Sequence, residues 1–116
     1  MNIREMIEIL EGTVVCGEDK LDTELKSACG SDMMSDVLAF VKDQSVLLTG
    51  LVNPQVIRTA EMMDMKCVVF VRGKVPDTSV IALAKGKGIV VVCSKLRLYE
   101  ACGRLYSKGL GKAEDE

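Results

Sequence analysis

The chain has 116 residues, 48% apolar and 28% charged, with a formal net charge of −2; this suits one globular domain around a single core and excludes a disordered chain. Aromatics are 3% and Trp is absent, so the core is aliphatic, and the acidic balance argues against nucleic-acid binding as the main task. Histidine is absent as well, which excludes Ser-His-Asp and Cys-His catalysis and histidine metal ligation.

In chain order, Asn2 to Leu10 places Ile3, Met6, Ile7 and Leu10 on one helical face, with Asn2 as cap and Gly12 as stop. Thr13 to Cys16 is short and β-branched and reads as a strand. Glu24 to Cys29 alternates and reads as another strand. Ser31 or Asp32 then caps a helix through Val41, with Met33, Met34, Val37, Leu38 and Val41 toward the core.

Three similar units follow. Ser45 to Thr49 is a buried strand that Gly50 breaks, and Asn53-Pro54 opens a helix to about Met63. Pro at the first helical position loses nothing, because that N–H has no helical partner. Lys66 to Val71 is the next strand, Arg72-Gly73-Lys74 its turn, and Pro76-Asp77 opens a helix to about Gly86. Ile89 to Cys93 is the last strand, Ser94-Lys95 its turn, and a helix continues to about Ser107. The unbroken apolar runs indicate strands buried on both faces, and the intervening helices indicate parallel crossovers. The expected fold is therefore α/β: three layers, a mostly parallel sheet of about five strands, and helices on both faces. One domain over 1–110 and a charged, frayed tail over 111–116 complete the reading.

Parallel α/β sheets bind ligands beyond the carboxyl ends of their strands. Those ends carry Gly50 and Asn53, then Arg72, Gly73 and Lys74, then Ser94 and Lys95. If the strands are neighbours, these residues share one opening, with cations, small polar groups and the free N–H groups of helix starts. That chemistry suits a small anionic ligand such as a nucleotide. Neither a G-x-G-x-x-G fingerprint nor a G-x-x-x-x-G-K-[ST] loop is present, and Lys74 and Lys95 also suit ordinary solvated turns. Asp32 and Asp36 share a helical face and could hold a metal or move a proton, although acids there also simply favour the helix dipole. No catalytic residue, metal or cofactor is assigned.

The five cysteines are odd in number and form no C-x-x-C, which reads as free thiols in a reducing cytoplasm. Cys67 and Cys93 read as packing residues inside strands. Cys29, near a helix start, is the candidate for a redox-sensing thiol. Charges within Met1–Leu10 argue against a cleavable signal, and no apolar run reaches the roughly 18–20 residues of a membrane span. The last helix carries Leu96, Leu98, Tyr99, Cys102, Leu105 and Tyr106. That apolar arc is wider than one buried face, so a homodimer is expected.

The order of these pieces resembles the DRTGG domain, named for Asp-Arg after one strand and Thr-Gly-Gly at the end of the next. The first pair aligns with Asn53-Pro54 after LLTG-LV, and the second group with Val71-Arg72-Gly73, where only Gly73 is retained. A later family Thr aligns with Ser94. The segments ACGSDMMSDVLAFVK, LLTGLVNPQVIRTAEMMD and LYEACGRLY look closer to a stand-alone subgroup encoded near iron-only hydrogenase components. The family is also similar to the N-terminal domain of HPr kinase and occurs beside CBS pairs in regulatory pyrophosphatases. The resemblance implies a regulatory or dimerising α/β module rather than a catalyst. Its expected role is sensing an adenine nucleotide or other phosphorylated metabolite. The alternatives are a ligand-free module docking a hydrogenase or signalling partner, and a thiol sensor through Cys29.

Overall fold

The computed structural model describes residues 1–40 and 45–111. The chain opens with α1 (Ile3–Leu10), held by reciprocal hydrogen bonds at its start: Glu5 N donates to Asn2 Oδ1 at 2.8 Å, and Asn2 N donates to Glu5 Oε1 at 3.0 Å. Ile3, Met6 and Leu10 are buried, as the spacing predicts. The left-handed residue ending the helix is Glu11, at φ 53°, and not the predicted Gly12. Next come β1 (Thr13–Cys16), a 3-10 turn (Glu18–Lys20) and β2 (Ser27–Gly30). The second strand thus starts later than the alternation over 24–29 predicts; Glu24 makes only an isolated antiparallel bridge with Asn2.

After these come α2 (Met34–Phe40), β3 (Ser45–Thr49), α3 (Pro54–Met62), β4 (Cys67–Phe70), α4 (Thr78–Lys87), β5 (Val90–Cys93) and α5 (Leu98–Ser107). Asn53 and Asp77 cap α3 and α4 by accepting from Val56 N and Val80 N. The predicted extension of α2 to Val41 and the tail from 112 lie outside the described residues. The predicted inward face of α2 holds only in part: Val37 is buried and Met34 half-buried, whereas Met33 and Leu38 are exposed. One short helix cannot turn all of those positions toward the sheet.

The sheet runs β1-β5-β4-β3-β2. Its four strands from β2 to β5 are parallel, while β1 pairs antiparallel with β5. It is therefore a mixed sheet. Each parallel strand lies beside its successor in sequence, and crossovers of one hand then place α2, α3 and α4 on the same face. Packed there are Val37, Val56, Ile57, Ala60, Val80 and Ala84 against Leu47, Val68, Phe70 and Val91. On the other face Ile3, Met6, Leu10, Ala101 and Leu105 meet Val46, Leu48, Cys67, Val69, Val90 and Val92. Each central strand feeds both cores by its twofold alternation, which is why its sequence is apolar throughout. Cys67 packs as a small hydrophobe, and Cys93 is half-buried against the α2–α4 core.

Candidate functional site

The register levels the carboxyl ends of the parallel strands. Thr49 lies opposite Phe70, Phe70 opposite Cys93, and Gly30 opposite Leu48. The residues that follow, Ser31-Asp32, Gly50, Arg72 and Ser94, therefore share one rim, as expected of 50, 72 and 94. The sequence reading takes Asp32 as a helix cap or as one of an acid pair with Asp36 and not as a rim residue, although it follows β2 just as Gly50 follows β3. The shortness of β2, four residues, hid that equivalence.

One half of the rim is built around Asp32. Its Oδ1 accepts from Gly50 N at 2.8 Å and from Thr49 Oγ1 at 3.0 Å. Thr49 Oγ1 in turn accepts from Leu51 N at 3.1 Å, and Thr49 is wholly buried. Asp32 Oδ2 stands 3.7 Å from an Arg72 guanidinium nitrogen, a meeting of charges rather than a hydrogen bond. The Gly50 N–H holds the Asp32 carboxyl below its ordinary range; partial burial opposes this, and the Thr49 hydroxyl and Arg72 add to it.

Arg72 sits in a left-handed backbone, φ 61°, followed by Gly73 at φ 71°. Lys74 N closes this turn on Val71 O at 3.2 Å, the geometry of a type I′ turn, which ordinarily favours Asn or Gly in both central positions. The turn throws the Arg72 side chain across β3. A Cβ at Gly50 would fall within 2.5 Å of its Cζ, so only glycine leaves room for the guanidinium. Among the described residues that guanidinium donates no hydrogen bond and has Asp32 as its only ion-pair partner.

The other half of the rim is a groove of about 380 Å³ on the α1 side, reached by Gly73, Lys74, Ser94 and Lys95 together with Glu11 and Thr13. Lys74 and Lys95 are exposed, with no ion pair among the described residues. Ser94 is buried; its hydroxyl donates to Leu10 O at 2.8 Å and accepts from Leu96 N at 3.2 Å. It ties α1 to the start of α5.

The expected free N–H groups are spent in part. Asn53 and Asp77 each accept one N–H from the first turn of α3 and α4, whereas α5 has no side-chain cap among the described residues; Asp32 takes Gly50 N, and Arg72 N and Gly73 N donate to Leu96 O at 2.8 Å and Ser94 O at 3.0 Å. The predicted opening is also covered at Gly50 by Arg72.

Cys29 is half-buried, and burial, with Asp36 nearby, pushes its thiol up. That is opposite to the shift a reactive thiolate needs. Among the described residues no group of three or more Cys, Asp or Glu could hold a metal ion, and no helix is long and apolar enough to cross a membrane.

The DRTGG domain family model matches residues 5–107. The chain belongs to the DRTGG domain family. No protein of curated function matches it in sequence. Its fold is similar to part of the chain in a crystal structure of the CBS and DRTGG domains of the regulatory region of Clostridium perfringens pyrophosphatase, complexed with the activator diadenosine tetraphosphate. The TM-score is 0.72 at 11% identity, over 98% of this chain and 51% of that one. The chain thus spans about half the length of that regulatory region. In this DRTGG domain Asn53-Pro54, Val71-Arg72-Gly73 and Ser94 all follow the ends of β3, β4 and β5.

Proposed function

We propose that this DRTGG domain is a regulatory module that senses an adenine nucleotide or another phosphorylated metabolite at its carboxyl rim. Arg72 is the principal contact to the anion; Lys74 and Lys95 add charge, Gly50 and Gly73 allow close approach, and the Asn53 amide adds a hydrogen bond. Ser94 holds the floor of the site. The observation that carries this reading is the state of Arg72: it occupies a backbone region disfavoured for side-chain-bearing residues, yet its guanidinium forms no hydrogen bond among the described residues. Strain of this kind collects at functional sites. A nucleotide activator in the regulatory region of the pyrophosphatase neighbour supports the ligand class.

Thermal-shift titration with AMP, ADP and ATP tests it. A specific ligand at a hundred times its Kd stabilises by about 2.7 kcal/mol, and Arg72→Ala should remove that shift. A shift that survives Arg72→Ala places the site elsewhere.

A second reading, a docking module that works as a homodimer or with a hydrogenase or signalling partner, is supported by a different surface. A groove of about 540 Å³ lies between α5 and the edge strand β2, lined by Ala28, Gly30, Cys102, Leu105 and the exposed Tyr99 and Tyr106. Light scattering tests the dimer; a monomer at all concentrations contradicts it. A flat response to every nucleotide favours docking over sensing.

A further inference from the structure

We propose that Asp32 occupies the seat of the ligand's anion, and that binding at the rim is an exchange in which a phosphate takes over the donors the carboxylate now holds. This rests on the sensing function above and adds how the site is regulated. Asp32 takes a backbone N–H at a strand end, Gly50 N at 2.8 Å, and a buried hydroxyl, Thr49 Oγ1 at 3.0 Å, and faces Arg72 at 3.7 Å. An N–H, a hydroxyl and a guanidinium converging on one oxyanion are the donor set by which proteins hold phosphate. Here the protein supplies its own anion.

The hold is unequal. Oδ1 is well bonded, whereas Oδ2 lies beyond hydrogen-bond distance of Arg72, whose guanidinium donates no hydrogen bond among the described residues. A phosphate brings greater charge and more acceptor oxygens than a carboxylate, so it can satisfy Arg72 where Asp32 does not. A carboxylate ligand would bring no such advantage. The exchange therefore selects phosphoryl groups over carboxylates.

It also has a mechanical consequence. Asp32 lies in the loop between β2 and α2, which is pinned at Ser31 N to Leu48 O at 3.0 Å and turned by Met33 N to Ser31 Oγ at 2.9 Å. Just beyond begins α2, a seven-residue helix in which Val37 is the fully buried residue among those whose burial is described. A short element with so few buried apolar residues among those described lies at the low end of local stability. Releasing Asp32 frees the segment that holds the start of α2, so occupancy at the rim is reported on the α2 face.

Calorimetric titration of the full chain with pyrophosphate, AMP and ATP, with succinate as the carboxylate control, tests this in wild type and Asp32→Asn. Asn keeps an oxygen for Gly50 N and Thr49 and removes the charge facing Arg72. The phosphate probes should bind the variant more tightly, on the order of tenfold, as the loss of a charged competitor implies, and succinate should bind neither protein. In wild type, hydrogen exchange at the Val37 amide should speed up on binding, a readout that does not depend on the variant. Wild-type binding with unchanged or weaker binding by Asp32→Asn, or with Val37 equally protected, overturns the exchange and leaves the sensing site standing. No binding of any phosphate probe by either protein overturns the sensing function and the exchange with it.

Discussion

Ser94→Ala separates a floor residue from a ligand contact. The Ser94 hydroxyl is buried and bridges two main-chain groups, donating to Leu10 O at 2.8 Å and accepting from Leu96 N at 3.2 Å. Alanine leaves that carbonyl and that N–H without this partner in a site the side chain closes. A buried group stripped of its partner costs about 1–3 kcal/mol; the longer contact to Leu96 N contributes less than the one to Leu10 O, so the expected loss is about 2 kcal/mol. For a domain of this size that lowers Tm by roughly 6–12 °C. Urea and thermal unfolding followed by circular dichroism measure it, and the urea slope should be unchanged, since the surface exposed on unfolding is the same. The shift caused by ATP, taken from each protein's own baseline, should persist. A variant of wild-type stability that no longer responds to ATP would refute the reasoning and make Ser94 a ligand contact.

Gly50→Ala should unfold within about 1 kcal/mol of wild type, because the intruding methyl meets the far end of a flexible side chain, the exposed pair it breaks is weak, and alanine narrows the unfolded ensemble. Its nucleotide response should nevertheless be weakened; an undiminished response would show that the seat over Gly50 is not used. The Asp32 carboxyl lies below its ordinary value in the fold, so its stabilisation is fully present above the unfolded value of about 3.9 and is lost as pH falls through the folded value. The stability gap between wild type and Asp32→Asn should therefore close on acidification below about pH 4, and a gap that widens there contradicts the sign. Thr59 is buried in α3 with a hydroxyl that has no partner among the described residues. Thr59→Val should raise stability by about 1 kcal/mol, measured by urea unfolding; a loss would mean that the hydroxyl is satisfied.

The parallel half of this fold could be read from its residues because its physics is local. SVLLT, CVVFV and IVVVC are apolar throughout, as strands between two cores must be, and Asn53-Pro54 and Pro76-Asp77 mark helix starts by capping chemistry. Elsewhere long-range contacts decided the outcome. β1 reads as a strand, but nothing within TVVC says that it pairs antiparallel with β5. β2 forms at Ser27–Gly30, where it meets β3, and not over the alternation at 24–29. The common rim of 50, 72 and 94 followed from strand order, whereas the Asp32 carboxylate beneath Arg72 did not. That contact depends on a left-handed φ at Arg72, which a sequence marks only when the residue is glycine or asparagine. Ser94 looked like a polar group at a strand end; its engagement with Leu10, on a helix far away in the chain, is tertiary.

The central claim, a phosphate site at the carboxyl rim centred on Arg72, is tested most directly by nuclear magnetic resonance. In a titration of 15N-labelled protein with ATP, the amide signals of Gly50, Arg72, Gly73, Lys74 and Lys95 should move together and saturably, while those of Tyr99 and Tyr106 on α5 stay fixed. Saturable movement confined to the α5–β2 groove, with the rim signals unmoved at millimolar ATP, would contradict it.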